Sequence, residues 1–177
     1  MPTDTLSTLA TLVGARLKAQ GLMLATAESC TGGWVAQAAT AIAGSSDWFE
    51  RGFVTYSNAA KQEMLGVSAG TLATHGAVSE QTAREMAAGA LAHSRAQVAV
   101  AITGIAGPTG GSPDKPVGMV CFAWAMEDKE AQAQTRHFEG DRESVRRQSV
   151  TAALQGVLEL LEGFSGLPGP SRDGTGA

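Results

Sequence analysis

The 177-residue sequence carries 44% hydrophobic residues and a formal net charge of −4, which suits one globular domain with a real core. The acidic balance argues against a sequence-independent nucleic-acid binder, which needs a basic excess. No apolar run approaches the roughly 20 residues that span a bilayer, and Met1-Pro2-Thr3-Asp4 starts no basic-then-apolar leader. The two cysteines, Cys30 and Cys121, sit in no metal-ligand spacing. The expectation is a cytoplasmic protein with reduced thiols, no metal, no cofactor, and neither a membrane nor a nucleic acid as partner.

Along the chain, Leu6, Leu9, Val13 and Leu17 recur at helical spacing before Gly21. Leu22 to Ala27 is a short apolar run of the length of a buried strand. Gly32 and Gly33 open an Ala-rich helix that reaches Ala43, and Gly44 to Asp47 reads as a loop. Gly52 to Tyr56 reads as a second strand, and Ser57 or Asn58 caps a short helix through Lys61 to Leu65. Gly66, Gly70 and Gly76 punctuate the next stretch. A helix follows Ser79, with Ala83, Met86, Ala87, Ala90 and Leu91 on its apolar face. Val98 to Ile102 is a buried strand that runs into a Gly-rich loop, Thr103 to Gly111. Val117–Ala125 and Ala131–Phe138 read as strands of a hairpin turning at Glu127–Glu130, and Asp141 caps a last helix. Helices alternating with strands early and a hairpin late predict a single three-layer α/β/α domain with a mixed β-sheet. The domain is expected over residues 1–163, with a disordered Gly/Pro/Ser-rich tail over 164–177.

Polar clusters fall at the ends of predicted strands, where open α/β sheets bind ligands. Ser29, in Glu28-Ser29-Cys30-Thr31-Gly32-Gly33, stands between a strand and a helix start whose unpaired N–H groups can receive an oxyanion. The plain alternative, a helix N-cap, is favoured by spacing alone. A serine alkoxide needs a base. His75, His93 and His137 accompany none of the clusters, so a Ser-His-Asp triad is poorly supported. Lys61 is the better candidate, because a lysine shielded from water can lose its proton, and Tyr56 lies near it in sequence to hold the amine or share a relay. A solvated helix lysine is the usual case. Ser57, four residues before Lys61, is a competing nucleophile. The Gly-rich loop matches neither a P-loop nor G-x-G-x-x-G, though its backbone can nest an anion. Arg142 and Arg146, four apart at a helix start, can hold a phosphate or pair with Glu139, Asp141 or Glu143.

Taken in order, Ala27-Glu28-Ser29-Cys30-Thr31-Gly32-Gly33, Gly52-Phe53-Val54-Thr55-Tyr56-Ser57-Asn58 with Lys61, His75-Gly76-Ala77-Val78-Ser79, Thr103-Gly104-Ile105-Ala106-Gly107-Pro108, Lys115-Pro116-Val117-Gly118 and Gly140-Asp141-Arg142 resemble the motifs of the CinA C-terminal domain family. The resemblance runs from about Leu6 to Leu161. It implies a nicotinamide-nucleotide amidase that converts nicotinamide mononucleotide to nicotinate mononucleotide and ammonia, in pyridine-nucleotide salvage. It places the family's serine on Ser29, its lysine on Lys61 and its tyrosine on Tyr56, with Ser46 and Thr103 lining the site. Thr31, Gly32, Gly33, Gly104, Gly107, Arg142 and Arg146 are the further expected substrate contacts. The N-terminal domain of longer CinA proteins has no counterpart here, so its activity is not expected. A homodimer is expected, because small α/β enzymes often pair. The competing readings are a non-catalytic nucleotide-binding regulatory module and, on the family's competence-related name alone, an adaptor in DNA uptake.

Overall fold

The computed structural model describes residues 4–163; the expected tail lies outside them. In chain order the elements are α1 (Thr5–Gln20), β1 (Leu24–Glu28), α2 (Trp34–Thr40), a 3-10 turn (Ser45–Asp47), β2 (Phe49–Val54), α3 (Asn58–Leu65), α4 (Ala69–His75), α5 (Glu80–Ala92), β3 (Val98–Gly104), β4 (Met119–Met126), β5 (Gln132–His137) and α6 (Arg142–Gly163). The sheet runs β2-β1-β3-β4-β5. β1 is parallel to both β2 and β3, and β4 and β5 continue the sheet antiparallel. Helices α1, α2 and α6 cover one face, and α3, α4 and α5 cover the other. This is the three-layer mixed-sheet α/β fold that the element order predicts.

The two faces of the sheet differ in composition because side chains alternate along a strand. Leu24, Val98, Val100, Ile102, Val120, Phe122 and Trp124 point to the α1/α2/α6 layer and meet Val13, Leu17, Val145 and Leu154. Ala25, Ala27, Ala99, Ala101, Ala123 and Ala125 point the other way and meet Met86, Ala87 and Ala90 of α5. An alanine floor lets α5 settle close to the sheet. α3 settles as close on α5: a Cβ on Gly89 would stand 1.9 Å from the carbonyl oxygen of Leu65. The third layer is thus held by backbone contact, with no room for another methyl.

Two differences from the sequence reading have physical causes. β2 begins at Phe49 and stops before Thr55, because its register is set by pairing along β1 from Leu24 to Glu28. α4 lies in the stretch read as glycine punctuation. Ser68 starts it by accepting from the N–H groups of Gly70 and Thr71, a capping gain that offsets the helix-weakening Gly70. Ser57 and Asp141 cap as read, accepting from Ala60 N and Ser144 N, and Ser79, where a helix was read to begin, accepts from Thr82 N.

Replacing Gly89 by Ala would raise helix propensity by about 1 kcal/mol, but a methyl against rigid backbone costs about 1–3 kcal/mol or more. Gly89→Ala is therefore expected to lower the thermal midpoint, by roughly 3–8 °C for a domain of this size, and to lower activity through displacement of α3. Thermal denaturation followed by circular dichroism checks the first effect.

Candidate active site

Strand parity decides where the site forms. Ala25 and Ala27 face the α3/α5 layer, so Ser29, two residues on, faces it too. Its N–H still continues the ladder, donating to the carbonyl of Ile102 at 2.9 Å. Glu28 turns the opposite way. Its buried carboxylate accepts from Thr31 Oγ1 at 2.6 Å, Val35 N at 2.8 Å and Ala36 N at 3.1 Å, and so caps α2 in place of a side chain at Gly33.

Lys61 reaches Ser29 from α3. It shares a helix face with Leu65, and that face is the buried one. Lys61 is 1% exposed. Its Nζ lies 3.1 Å from Ser29 Oγ, 3.0 Å from the carbonyl oxygen of Thr55 and 3.3 Å from that of Tyr56. No carboxylate pairs with it among the described residues. Burial holds its pKa below the ordinary lysine value of 10.5, and the neighbouring Cys30 opposes this only in part. The three neighbours suit a neutral amine, whose two N–H groups serve the two carbonyls while its lone pair faces the serine hydroxyl.

These groups open on a cavity of about 270 Å³ lined by Ser29, Lys61, Tyr56, Thr103, Gly107 and Arg142, among others. That is near the lower end of the ~300–1,000 Å³ of small-molecule pockets. Thr103 donates from Oγ1 to the carbonyl of Ala77 at 2.8 Å and thereby ties the β3 end to the segment before α5. Gly104 also lines the cavity; a Cβ there would meet Val120 Cγ2 at 2.8 Å. Gly107, with φ +80°, leaves its carbonyl to Arg142 Nη1 at 2.8 Å. Arg142 Nη2 donates to the Tyr56 hydroxyl at 3.2 Å. Arg142 thus links the Gly-rich loop to Tyr56 across the mouth.

Several expected site residues are placed differently. The Tyr56 phenol is directed to Arg142, and only the main-chain carbonyl of Tyr56 touches the lysine amine. Ser57 is the N-cap of α3, where its Oγ receives Ala60 N–H, so it does not compete with Ser29. Ser46 precedes β2 and so lies at the end where the parallel strands begin, whereas Ser29 lies where β1 ends; Ser46 does not line the cavity. Arg146 is not at the cavity wall. Its Nε donates to Cys30 O at 3.1 Å and its Nη2 to Thr31 O at 3.2 Å, with the guanidinium 5.4 Å from the Trp34 ring centroid. Thr31 is buried and spends its hydroxyl on Glu28. Gly32 and Gly33 adopt φ of +61° and +104° at the start of α2, outside the cavity, and Gly32 N–H is taken by Ser29 O. Among the described residues neither Arg142 nor Arg146 forms the ion pair foreseen with Glu139, Asp141 or Glu143; Glu143 pairs with Arg147 instead, at 3.7 Å.

Cys30 lines the cavity next to Ser29, yet burial pushes its thiol up to about 12. It stays protonated and is a poor nucleophile near neutral pH. None of the three histidines lines the cavity. No group of three metal-ligating side chains gathers among the described residues, and no described helix is long and apolar enough to cross a membrane.

Residues 6–161 match the model of the CinA C-terminal domain. The chain belongs to the CinA C-terminal domain family. A relative from Escherichia coli (strain K12), named nicotinamide-nucleotide amidohydrolase PncC, is 58% identical over 155 residues, covering 88% of this chain and 94% of the relative. A protein of the same name from Pseudomonas putida is 51% identical over 157 residues, covering 89% and 98%. A CinA-like protein from Syntrophobacter fumaroxidans is 52% identical over 156 residues, which cover 88% of this chain and 37% of that longer protein. Among solved structures, a competence/damage inducible protein from Agrobacterium tumefaciens superposes with a TM-score of 0.86 at 48% identity, covering 92% of this chain and 98% of the other.

Within this family fold, sequence reasoning missed Ala77 and Val78 as cavity wall, and Asn58 at its edge. Their only signal was the His75-Gly76-Ala77-Val78-Ser79 and Tyr56-Ser57-Asn58 motifs themselves.

The depressed Lys61 pKa has a signed consequence for stability. Between its folded value and 10.5 the unfolded chain binds more protons than the folded one, so the folded state gains stability as pH rises through that window. The stability of the native protein relative to Lys61→Met is expected to increase from neutral pH toward pH ~10, measured by urea denaturation at a series of pH values. A flat difference would mean that Lys61 keeps an ordinary pKa.

Proposed function

We propose that this chain hydrolyses the carboxamide of nicotinamide mononucleotide to nicotinate mononucleotide and ammonia, with Ser29 as nucleophile and Lys61 as general base. One observation carries the chemistry: a buried amine with no acidic partner among the described residues, 3.1 Å from a serine oxygen. The amidohydrolase name shared by relatives at 51–58% identity supports the substrate class.

Neutral Lys61 accepts the Ser29 hydroxyl proton while the serine oxygen attacks the carboxamide carbon. The Thr55 and Tyr56 carbonyls keep the amine aimed. Main-chain N–H groups near the serine receive the oxyanion. The proton on Lys61 passes to the departing nitrogen, ammonia leaves, and water then cleaves the acyl-enzyme with Lys61 again accepting a proton. The Tyr56 phenol contributes at the rim of the pocket, together with Arg142. Arg142 keeps donors for the substrate phosphate, whereas Arg146 spends its Nε and Nη2 on the carbonyls behind Ser29. A charged nucleotide does not cross a bilayer unaided, which favours a cytoplasmic site of action. The expected homodimer belongs to the same proposal and is read from the mass in light scattering.

Ammonia release on adding nicotinamide mononucleotide separates this reading from a binding module without turnover. Ser29→Ala and Lys61→Ala are each expected to lower kcat by several orders of magnitude with the fold retained, and the double variant to lose little more, because the two groups act as one unit. Near-normal turnover in Ser29→Ala would remove the serine from the mechanism. Arg142→Ala is expected mainly to raise KM for the phosphorylated substrate; steady-state kinetics against nicotinamide riboside, which lacks the phosphate, checks the assignment.

A further inference from the structure

The four residues from Ser29 to Gly32 form a tight turn closed by Gly32 N–H donating to Ser29 O at 3.0 Å. The peptide at its centre joins Cys30 to Thr31. In such a turn the central peptide can rotate as a unit, which exchanges the directions of its carbonyl and its N–H. In a trans peptide these two groups point opposite ways. Whichever group faces one side of the turn, the other faces away from it.

Arg146 reaches this turn from α6 and takes both of its outward carbonyls, Cys30 O through Nε and Thr31 O through Nη2. With Cys30 O held toward the guanidinium, Thr31 N–H must point away from it. Cys30 N–H is likewise turned away from the closing hydrogen bond, since its peptide partner is Ser29 O. Among the described residues neither the Cys30 N–H nor the Thr31 N–H donates to another residue, the Cys30 N–H meeting only its own thiol, although both residues are buried. Buried N–H groups without partners are rare and costly. Two in succession, directly after the candidate nucleophile, suit acceptance of a charge that exists only during reaction.

We propose that Arg146 is a positioning residue: by holding the Cys30 carbonyl, and the Thr31 carbonyl beside it, it keeps the Thr31 N–H turned away from α6 and toward the oxyanion that forms when Ser29 is acylated, beside a Cys30 N–H that the Gly32-to-Ser29 hydrogen bond directs. The inference rests on the reading of Ser29 as nucleophile. It gives Arg146 a role in stabilising the transition state without contact with substrate. The Thr31 side chain assists, because the rotated peptide would require positive φ at residue 31, which a β-branched residue disfavours. The rival donors are the N–H groups of Ala106 and Gly107, residues that line the cavity as Cys30 does and Thr31 does not.

The test compares Arg146→Gln and Arg146→Lys with the native enzyme in three measurements: kcat and KM, affinity for nicotinate mononucleotide, and affinity for the nucleotide carrying a boronic acid in place of the carboxamide. The boronate can add the serine oxygen and present a tetrahedral anionic centre. Arg146→Gln is expected to lose about ten- to a hundredfold in kcat, less than the ~10²–10³ for outright removal of a donor, and to lose boronate affinity in parallel. KM and nicotinate nucleotide affinity should stay within about threefold, since uniform binding is untouched. Arg146→Lys, with one donor group for two carbonyls, should fall between. Equal losses of boronate and product affinity would make Arg146 a purely structural prop and overturn the inference. Retained boronate affinity in Arg146→Gln would also overturn it, in favour of the Ala106–Gly107 donors. If the native enzyme itself binds the boronate no more tightly than the product, the Ser29 reading falls and the inference falls with it.

Discussion

An ammonium group without a counter-ion is costly to bury, by several kcal/mol even after relaxation. The fold nevertheless carries Lys61 into the protein, where its polar partners among the described residues are two carbonyls and a hydroxyl. The surroundings are inexpensive for the neutral amine and poor for the charged one. Much of the local architecture follows from that single demand. α3 must turn its Lys61–Leu65 face inward, so it must lie tight on α5, and the close approach of Gly89 to Leu65 provides that seat. The chain between β2 and α3 must present two carbonyls inward, and the cap at Ser57 bends it to do so.

The nucleophile is fixed from the opposite face of the sheet. Glu28 and Ser29 are neighbours with opposite directions, so the carboxylate that organises α2 and the hydroxyl that faces the lysine are set by one strand end. Three donors converge on Glu28. Through them α2, the turn and β1 behave as one piece. The parallel half of the sheet holds the proposed reacting groups at its end, while β4 contributes Val120, Phe122 and Trp124 to the core that steadies β3.

Much of this was legible in the residues. Apolar runs located β1, β3 and β4, Gly and Ser punctuation located most helix ends, and the hairpin at Glu127–Glu130 followed from its polarity. The motif resemblance pointed to Ser29 and Lys61 together, and their sequence separation gave no hint that 3.1 Å divides them. What sequence could not disclose was direction. Arg142 and Arg146 stand one turn apart on α6, yet one guanidinium closes the mouth of the cavity and the other grips the turn behind Ser29. Tyr56 was legible as a site residue, but not that its carbonyl would face the amine while its phenol faced Arg142. Ser46 falls outside the cavity because it precedes a parallel strand rather than following one, which its motif position does not disclose. α4 escaped notice because a short helix held by its cap leaves little periodicity to read.

The unequal faces of the sheet carry a consequence for how the protein can evolve. On the side packed by Phe122, Trp124 and the branched residues, drift toward smaller side chains leaves voids, and compensating growth of a neighbour can fill them. On the side floored by alanines, there is little volume left to lose, and every enlargement lifts α5 and, with it, the helix that delivers the base. Sequence change should therefore accumulate as exchanges of bulk in one layer and be nearly frozen in the other, so that the half of the molecule with the plainest side chains is the half under the stricter constraint.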